Sequence, residues 1–308
     1  MCQLASVSRA GHYRRLVEAV PDEAEMAMRA VIQEVVLAHH RRYGYRRVTM
    51  DLHRRGMLVN HKRVLRIMRE DNLLAIRYRK YIVTTDSRHD CQVYLNLAAR
   101  MTVTGADQLW VADITYIRLR VEFVFLAVVI DRFSRKAIGW ALDRTLAARV
   151  AVTALQQAIV RRQPPPGVVH HSDQGIQYAC DDYAALLKAN GMVPSMSRPA
   201  NPYDNAACES FMKTLKQEEI YCNVYRDFEE LAAHLDEFIG TYYNRPRLHS
   251  ALGYRTPEEF ERDSAAPVTP GGTTGAARMK FFTPKNTRMP VKGLHDPNSS
   301  NPLEAKRS

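Results

Sequence analysis

Cysteine is sparse and shows no pairing pattern. The five thiols, Cys2, Cys91, Cys180, Cys208 and Cys222, make no CxxC motif and no even framework. That excludes a disulfide-stapled scaffold and points to reduced thiols in a cytosolic setting. No apolar run approaches the ~18 residues needed to cross a bilayer, and the start of the chain carries no charged-then-apolar leader. These absences predict a cytoplasmic protein with no membrane partner. His39, His40, His53 and His61 lie close in sequence, yet no cysteine pair is near enough to complete a tetrahedral zinc set. Acidic residues are also short: the 308 residues carry 44 Lys+Arg against 33 Asp+Glu, a net charge of +11. The hydrophobic content of 46% is ordinary, and the length suits about two domains that each bury a core.

The positive surplus is unevenly placed. Between His39 and Lys80, thirteen Lys/Arg face three acids, Asp51, Glu70 and Asp71, so nearly the whole surplus lies in one segment. Such a concentration is the electrostatic footprint of a polyanion-binding surface; a solvated helical face is the plainer alternative. The local pattern favours the first. Pro21-Asp22-Glu23 opens a helix, and from Gly44 the chain reads as helix-turn-helix. Arg46 to Arg54 makes one helix with Val48 and Leu52 inward, and Gly56 breaks it. Asn60 is a good N-cap for a second helix that buries Val64, Ile67 and Met68. Its other side presents Lys62, Arg66 and Arg69, with Arg63 beside them, as candidate DNA contacts. An ordinary amphipathic hairpin would show the same apolar stripe. Arg77 to Tyr81 continues the basic run with tyrosines that either stack on bases or simply pack. Residues 1–81 are thus read as a helical, basic, helix-turn-helix-like DNA-binding region, and the poorly periodic 82–106 as a linker.

The character changes at Leu109. Alternation from Leu109 to Leu119 places Val111, Asp113, Thr115 and Ile117 on one face. Phe123 to Ile130 is a continuous apolar run, the mark of a strand buried on both sides. Lys136 to Leu142 supplies a third strand. Ala148, Ala151, Val152, Leu155 and Ile159 mark an amphipathic helix, stopped by Pro164-Pro165-Pro166. A short strand at Val168-Val169 follows, then helix, strand and helix. This order predicts an α/β core over 107–262, a mixed sheet flanked by helices. The Pro/Gly-rich 263–308 is read as a disordered tail.

Three acids carry the chemistry. Asp113 sits among Trp110, Val111, Ile114 and Tyr116, where a bare carboxylate costs several kcal/mol unless it has a partner. Asp173 ends a strand and Glu209 lies on a later helix, with thirty-five residues between them. Oxygen donors with no nearby Cys/His set suit Mg²⁺ or Mn²⁺; satisfaction by backbone amides or an arginine is the alternative. Helical spacing puts Glu209, Lys213 and Lys216 on one face, with Ala207, Phe211, Thr214 and Leu215 toward the core. Asn205 is placed to open that helix. His171 and Ser172 read as groups that shape the site or touch DNA rather than as nucleophiles. Asp131 reads as a structural turn acid, Asp181 and Asp182 as dipole partners at a helix start, and Asp227 with Glu230 as a capping box. Arg245, Arg247 and His249 stand between packing and DNA contact.

The segments WVADITYI, VVIDRFSRKAIGWAL, HHSDQGIQY, SRPANPYDNAACESFMKTLKQE and YYNRPRLHSALGYRTPEEF follow one another in this chain. Together they resemble the second-frame (OrfB) transposase of bacterial insertion sequences of family three, within the retroviral-integrase-like superfamily. The resemblance runs from about Cys2 to Arg262. It implies an RNase H-like core in which Asp113, Asp173 and Glu209 are the catalytic, metal-binding acids, with Lys216 seven positions after Glu209. It also implies two Mg²⁺ or Mn²⁺ ions ~3.5–4 Å apart that activate the attacking hydroxyl and stabilise the leaving oxygen. The implied partners are transposon ends, target DNA, further copies of the chain on DNA, and a first-frame (OrfA) product, separate or fused by frameshift. Two other readings share these residues: a catalytically inactive DNA-binding regulator, and an RNase H-like nuclease that cuts without joining.

Overall fold

The computed structural model describes residues 22–75, 94–197 and 205–265. The basic-aromatic run at Arg77 to Tyr81 and the tail beyond residue 265 lie outside them. Three helices make the N-terminal module. Helix α1 (Glu23–Ala38) starts where the Asp22 side chain accepts a hydrogen bond from Ala24 N at 3.0 Å. Helix α2 (Tyr45–Arg54) is followed by Gly56 at φ +83°, a left-handed turn that glycine adopts without steric cost. Helix α3 (His61–Glu70) is capped by Asn60, which accepts from Lys62 N at 2.8 Å. The stripe expected to be buried is buried. Val48, Leu52, Val64, Ile67 and Met68 pack with Ile32, Val35 and Val36 of α1, and Leu248 from far along the chain joins them.

One mixed sheet forms the core, from β1 (Leu109–Arg118), β2 (Phe123–Asp131), β3 (Ala137–Asp143), β4 (Val169–Ser172) and β5 (Val193–Met196), in the order β3-β2-β1-β4-β5. The first three strands pair antiparallel, while β4 runs parallel to both β1 and β5. Alternation sorts the side chains. Trp110, Ala112, Ala127 and Val129 turn toward α4 (Ala148–Arg162) and α5 (Asp181–Ala189). Val111, Ile117, Val124 and Val128 turn toward α6 (Ala206–Leu215) and α7 (Phe228–Asp236). Covered on both sides, β2 needs the unbroken apolar run it has. Helix α4 comes unusually close to β3 because Gly139 faces it. A Cβ there would lie 2.2 Å from Ala154 O and 2.8 Å from Ala158 N.

The supposed linker is in part core. Ala98, Met101 and Val103 pack on the α6 side of the sheet, and Leu97 N donates to Ser195 Oγ at 2.9 Å. A strap that is buried at isolated positions offers no period for a pattern to show. Asp131 is the turn acid expected: fully buried, it accepts from Asp107 N at 2.7 Å, Phe133 N at 2.9 Å and Ser134 N at 3.0 Å. The last described helix, α8 (Pro257–Ala265), is tied in when Glu261 meets Arg162 at 2.9 Å and Lys136 at 3.2 Å. No described helix is long and apolar enough to cross a membrane.

Buried ions fasten the module to the core. After α6 the chain widens into a π-helical turn, Lys216–Ile220, which carries Glu218 and Glu219. Glu218 receives Arg47 at 2.8 Å and Arg247 through two bonds of 2.8 Å. Arg42 reaches Glu219 at 2.5 Å and the carbonyl of Glu218 at 2.9 Å. Tyr43, stacked on His39, donates to Pro246 O at 3.0 Å and accepts from Leu248 N at 2.9 Å. Burial works to raise the Glu218 carboxyl, but Arg247 and Arg47 outweigh it and hold it at about 2. Arg247 and His249 are built into this joint, 3% and 7% exposed.

Gly139→Ala should lower stability in urea by about 1–3 kcal/mol, since the clash is with helix backbone that cannot swing aside. An unchanged midpoint would mean β3 and α4 do not touch as described. Glu218→Gln should cost about 3 kcal/mol, because the buried Arg247 and the half-buried Arg47 are left against a neutral partner. Hydrogen exchange in α2 and α3 should quicken in that variant; exchange matching the wild type would show that the ion cluster does not hold the module.

Candidate active site and nucleic-acid interface

Alternation on β1 turns Asp113 to the same side as Val111, the side that α6 covers. The parallel register pairs Val111 with His171, so two residues further on Asp113 lies on β1 and Asp173 just past the end of β4. Glu209 comes from the first turn of α6. Asp113 is the inner member, half-buried on the sheet, and Glu209 is exposed. Burial first, then the charge of Asp173, then that of Glu209, push the Asp113 carboxyl up to about 7. The Ile114 N–H, donating at 2.9 Å, and the ammonium of Lys216 pull the other way and lose. Three carboxylates from three elements thus act on one point. Among the described residues no three His, Cys, Asp or Glu side chains form a ready-made metal cage. The donors are nonetheless all oxygen, and a carboxyl raised by burial and by two like charges gains its charged form when a cation binds beside it. Both features fit a hard divalent cation.

Helix α6 is set by contacts to β1 backbone. Asn205 does not cap the helix with its side chain, as its position suggested. Its Nδ2 instead donates to Ala112 O at 3.0 Å, and Cys208 Sγ donates to Val111 O at 3.4 Å. Both carbonyls flank Asp113 on the N-terminal side, so the helix bearing Glu209 is stitched to the strand bearing Asp113. His171, fully buried, shares a hydrogen bond of 2.9 Å with Ser195 Oγ on β5. Ser172 Oγ donates to Asp173 O at 3.0 Å, and Asp173 Oδ1 accepts from Gly175 N at 2.9 Å. These groups shape the end of β4.

Lys216 lies at the start of the π turn, half-buried, with its ammonium 5.1 Å from the Tyr116 ring centroid. Burial lowers its pKa, and the nearby charge of Asp113 opposes that. Tyr116, about a hundred positions away in sequence, carried no signal that it would seat this lysine. Lys213 is exposed beside Glu209.

The basic face of α3 is partly spoken for. Arg66 pairs with Glu25 at 3.0 Å and Glu70 at 2.9 Å, and Arg63 approaches Glu25 at 3.5 Å. Elsewhere on the module Arg54 pairs with Glu259, and Arg55 with Asp51 and Glu34. Lys62 and Arg69 remain exposed, with no ion pair among the described residues. The concentrated charge is thus a mixture of internal pairs and open cations. Exposed pairs of this kind are worth little, so Arg63 and Arg66 can exchange a carboxylate for a phosphate at small cost.

Family models described as "HTH-like domain" and "Integrase core domain" match residues 22–81 and 103–202, and a second "Integrase core domain" model matches 190–257. An insertion element IS600 31 kDa protein of Shigella sonnei is 34% identical over 264 residues, spanning 84% of this chain and 97% of the relative. Transposase InsF for insertion sequence IS3A of Escherichia coli K12 is 36% identical over 271 residues, spanning 86% and 94%. Among solved structures, a chain of the simian T-cell lymphotropic virus intasome is 15% identical with a TM-score of 0.44, spanning 78% and 76%.

The electrostatics at Asp113 predict a specific pH response in metal-free protein. The folded carboxyl titrates near 7 and an unfolded one near 3.8, so the folded chain keeps a proton that the unfolded chain releases. The stability this confers is present below about pH 4 and is lost as pH rises through about 7. Denaturation in EDTA should show that decline in the wild type and not in Asp113→Asn. Added Mg²⁺ should restore more stability at about pH 8 than at about pH 5.5. Identical profiles for the two proteins would refute the coupling.

Proposed function

The chain belongs to the IS3-type insertion-sequence transposases with an integrase core, and we propose that Asp113, Asp173 and Glu209 are its catalytic acids. The observation that carries this reading is the convergence of the three carboxylates from β1, the end of β4 and α6 upon Asp113. Asp131 shows how this fold satisfies a buried acid, with backbone donors on both oxygens, whereas among the described residues Asp113 has one such donor and two like charges nearby. Magnesium or manganese ions held by these carboxylates, two in number, would activate the attacking hydroxyl and stabilise the leaving oxygen of an in-line displacement at phosphorus.

The chain's own groups do the rest. Asn205 and Cys208 hold α6 against β1, which keeps Glu209 at a set distance from Asp113. Lys216, braced on Tyr116 next to Asp113, presents a half-buried positive charge to the substrate phosphate. Lys213, exposed beside Glu209, meets the DNA strand from the open side. Lys62 and Arg69 on α3 contact phosphates further along the same DNA, with Arg63 and Arg66 joining as they leave Glu25. The substrates are the transposon ends and the target DNA, and the chain works as several copies on DNA together with a first-frame product. The outcome is DNA cleavage followed by strand transfer.

Oligonucleotides matching the element's ends, incubated with Mg²⁺ or Mn²⁺ and the first-frame partner, should be cut and joined. Asp173→Asn should slow both by roughly a thousandfold or more, since a lost ligand removes several kcal/mol of transition-state stabilisation, while DNA binding persists. Full activity in that variant would sink the assignment. Nicking without joined product would favour a nuclease, and salt-dependent binding without cutting would favour a regulator.

A further inference from the structure

A second flank of α6 lines a cavity of about 170 Å³ that the proposed chemistry does not use. Ala206, Ser210 and Thr214 form its wall on the helix, while Arg47, Arg135 and Arg247 reach it from three other parts of the chain. Helical spacing sets Ser210 about 100° around the helix from Glu209. The cavity and the acids are therefore neighbours on one helix and not the same site.

Charge in this cavity is out of balance. Glu218 is shared by Arg47 and Arg247, so one carboxylate serves two guanidinium groups. Arg135 has no carboxylate partner among the described residues, although it is half-buried. Burial disfavours its charge, and Arg132 nearby adds repulsion. Among the described residues no acid lines the cavity. His249 at its wall adds no charge, because burial and then Arg247 hold its pKa at about 3. Ser210 and Ser250, both exposed at the rim, add hydroxyl donors. A half-buried guanidinium without a counter-charge costs free energy until an anion fills the gap. Forked N–H donors with hydroxyls around them match phosphate oxygens.

We propose that this cavity is a phosphate subsite that seats one backbone phosphodiester of the DNA strand crossing α6, with Arg135 as its principal donor. The proposal rests on the reading of the chain as acting on DNA, since the strand that meets Glu209 and Lys213 is the one that passes this flank.

Equilibrium binding of the full chain to a duplex of the element's own end, in EDTA across a salt series, reads the subsite without catalysis. Arg135→Gln should weaken binding on the order of tenfold at about 0.15 M salt and flatten the log–log salt slope by about 0.9. Its thermal stability should stay level or rise, because an unpaired charge has been removed. Ser250→Glu, which sets a carboxylate at the rim, should weaken binding in the same way and guards against a misfolded first variant. One methylphosphonate position in the duplex should weaken the wild type and leave Arg135→Gln unaffected. Wild-type slopes in both variants, or lost stability with an unchanged slope, would make Arg135 a structural residue and overturn the proposal. Inorganic phosphate raising the wild-type melting temperature alone, with no slope change on the duplex, would make this a free-anion site and overturn it too. No salt-dependent duplex binding by the wild type would remove the DNA reading itself; wild-type binding with indifferent variants removes the subsite only.

Discussion

The seating of α6 on β1 is the contact on which the rest of the molecule depends. Two side chains, Asn205 and Cys208, bond to successive β1 carbonyls, and Ala207, Phe211 and Leu215 bury the adjoining face. Small side chains at the crossing let helix and strand approach closely. Cys208 serves as a compact buried group: burial pushes its thiol well up, so it stays protonated and unreactive. From this one helix three surfaces radiate. One carries Glu209 toward Asp113, one lines the arginine cavity, and the π turn beyond grips the N-terminal module. A displacement of α6 would disturb all three together.

The ion cluster at the π turn extends that dependence to the whole described chain. Glu219 is fully buried against Arg42, and the half-buried Glu218 is held between Arg47 and Arg247. Isolated in the interior, either glutamate would be untenable; together with rigid guanidinium forks they make a fixed joint. The module that presents Lys62 and Arg69 is thereby held in a set orientation to Asp113, Asp173 and Glu209. The helix-turn-helix-like module and the integrase core are thereby parts of one body.

Much of this was legible in the residues. The apolar run at Phe123 to Ile130 could only be a strand covered on both sides; Gly56 marked a turn because few residues suit its backbone, and Asn60 a cap because its side chain accepts a helix N–H. Asp113 announced itself as a carboxylate among large apolar neighbours. Other features left no local trace. Arg42, Arg47, Arg63 and Arg66 looked like one polyanion-binding surface, yet their partners are Glu219, Glu218 and Glu25, acids that periodicity gives no reason to bring near. Asn205 looked like a helix cap because caps are local, whereas its bond to Ala112 crosses ninety-three positions. The strap from Tyr94 to Ala106 packs at scattered positions and so reads as linker.

Taken by itself, the sequence determined the order of helices and strands, the burial of their apolar faces, and which acids lacked a reason to be where they are. Those follow from short-range periodicity and from the cost of burying charge, both of which are written in neighbouring residues. Only the tertiary structure decided which charges are spent inside the molecule and which stay open to solvent. That choice is made by distances between residues far apart in the chain. It is why the ten described basic residues between Arg41 and Arg69 resolve into a joint and a partly open face, and why Arg135, unremarked in sequence, faces a cavity with no carboxylate partner among the described residues.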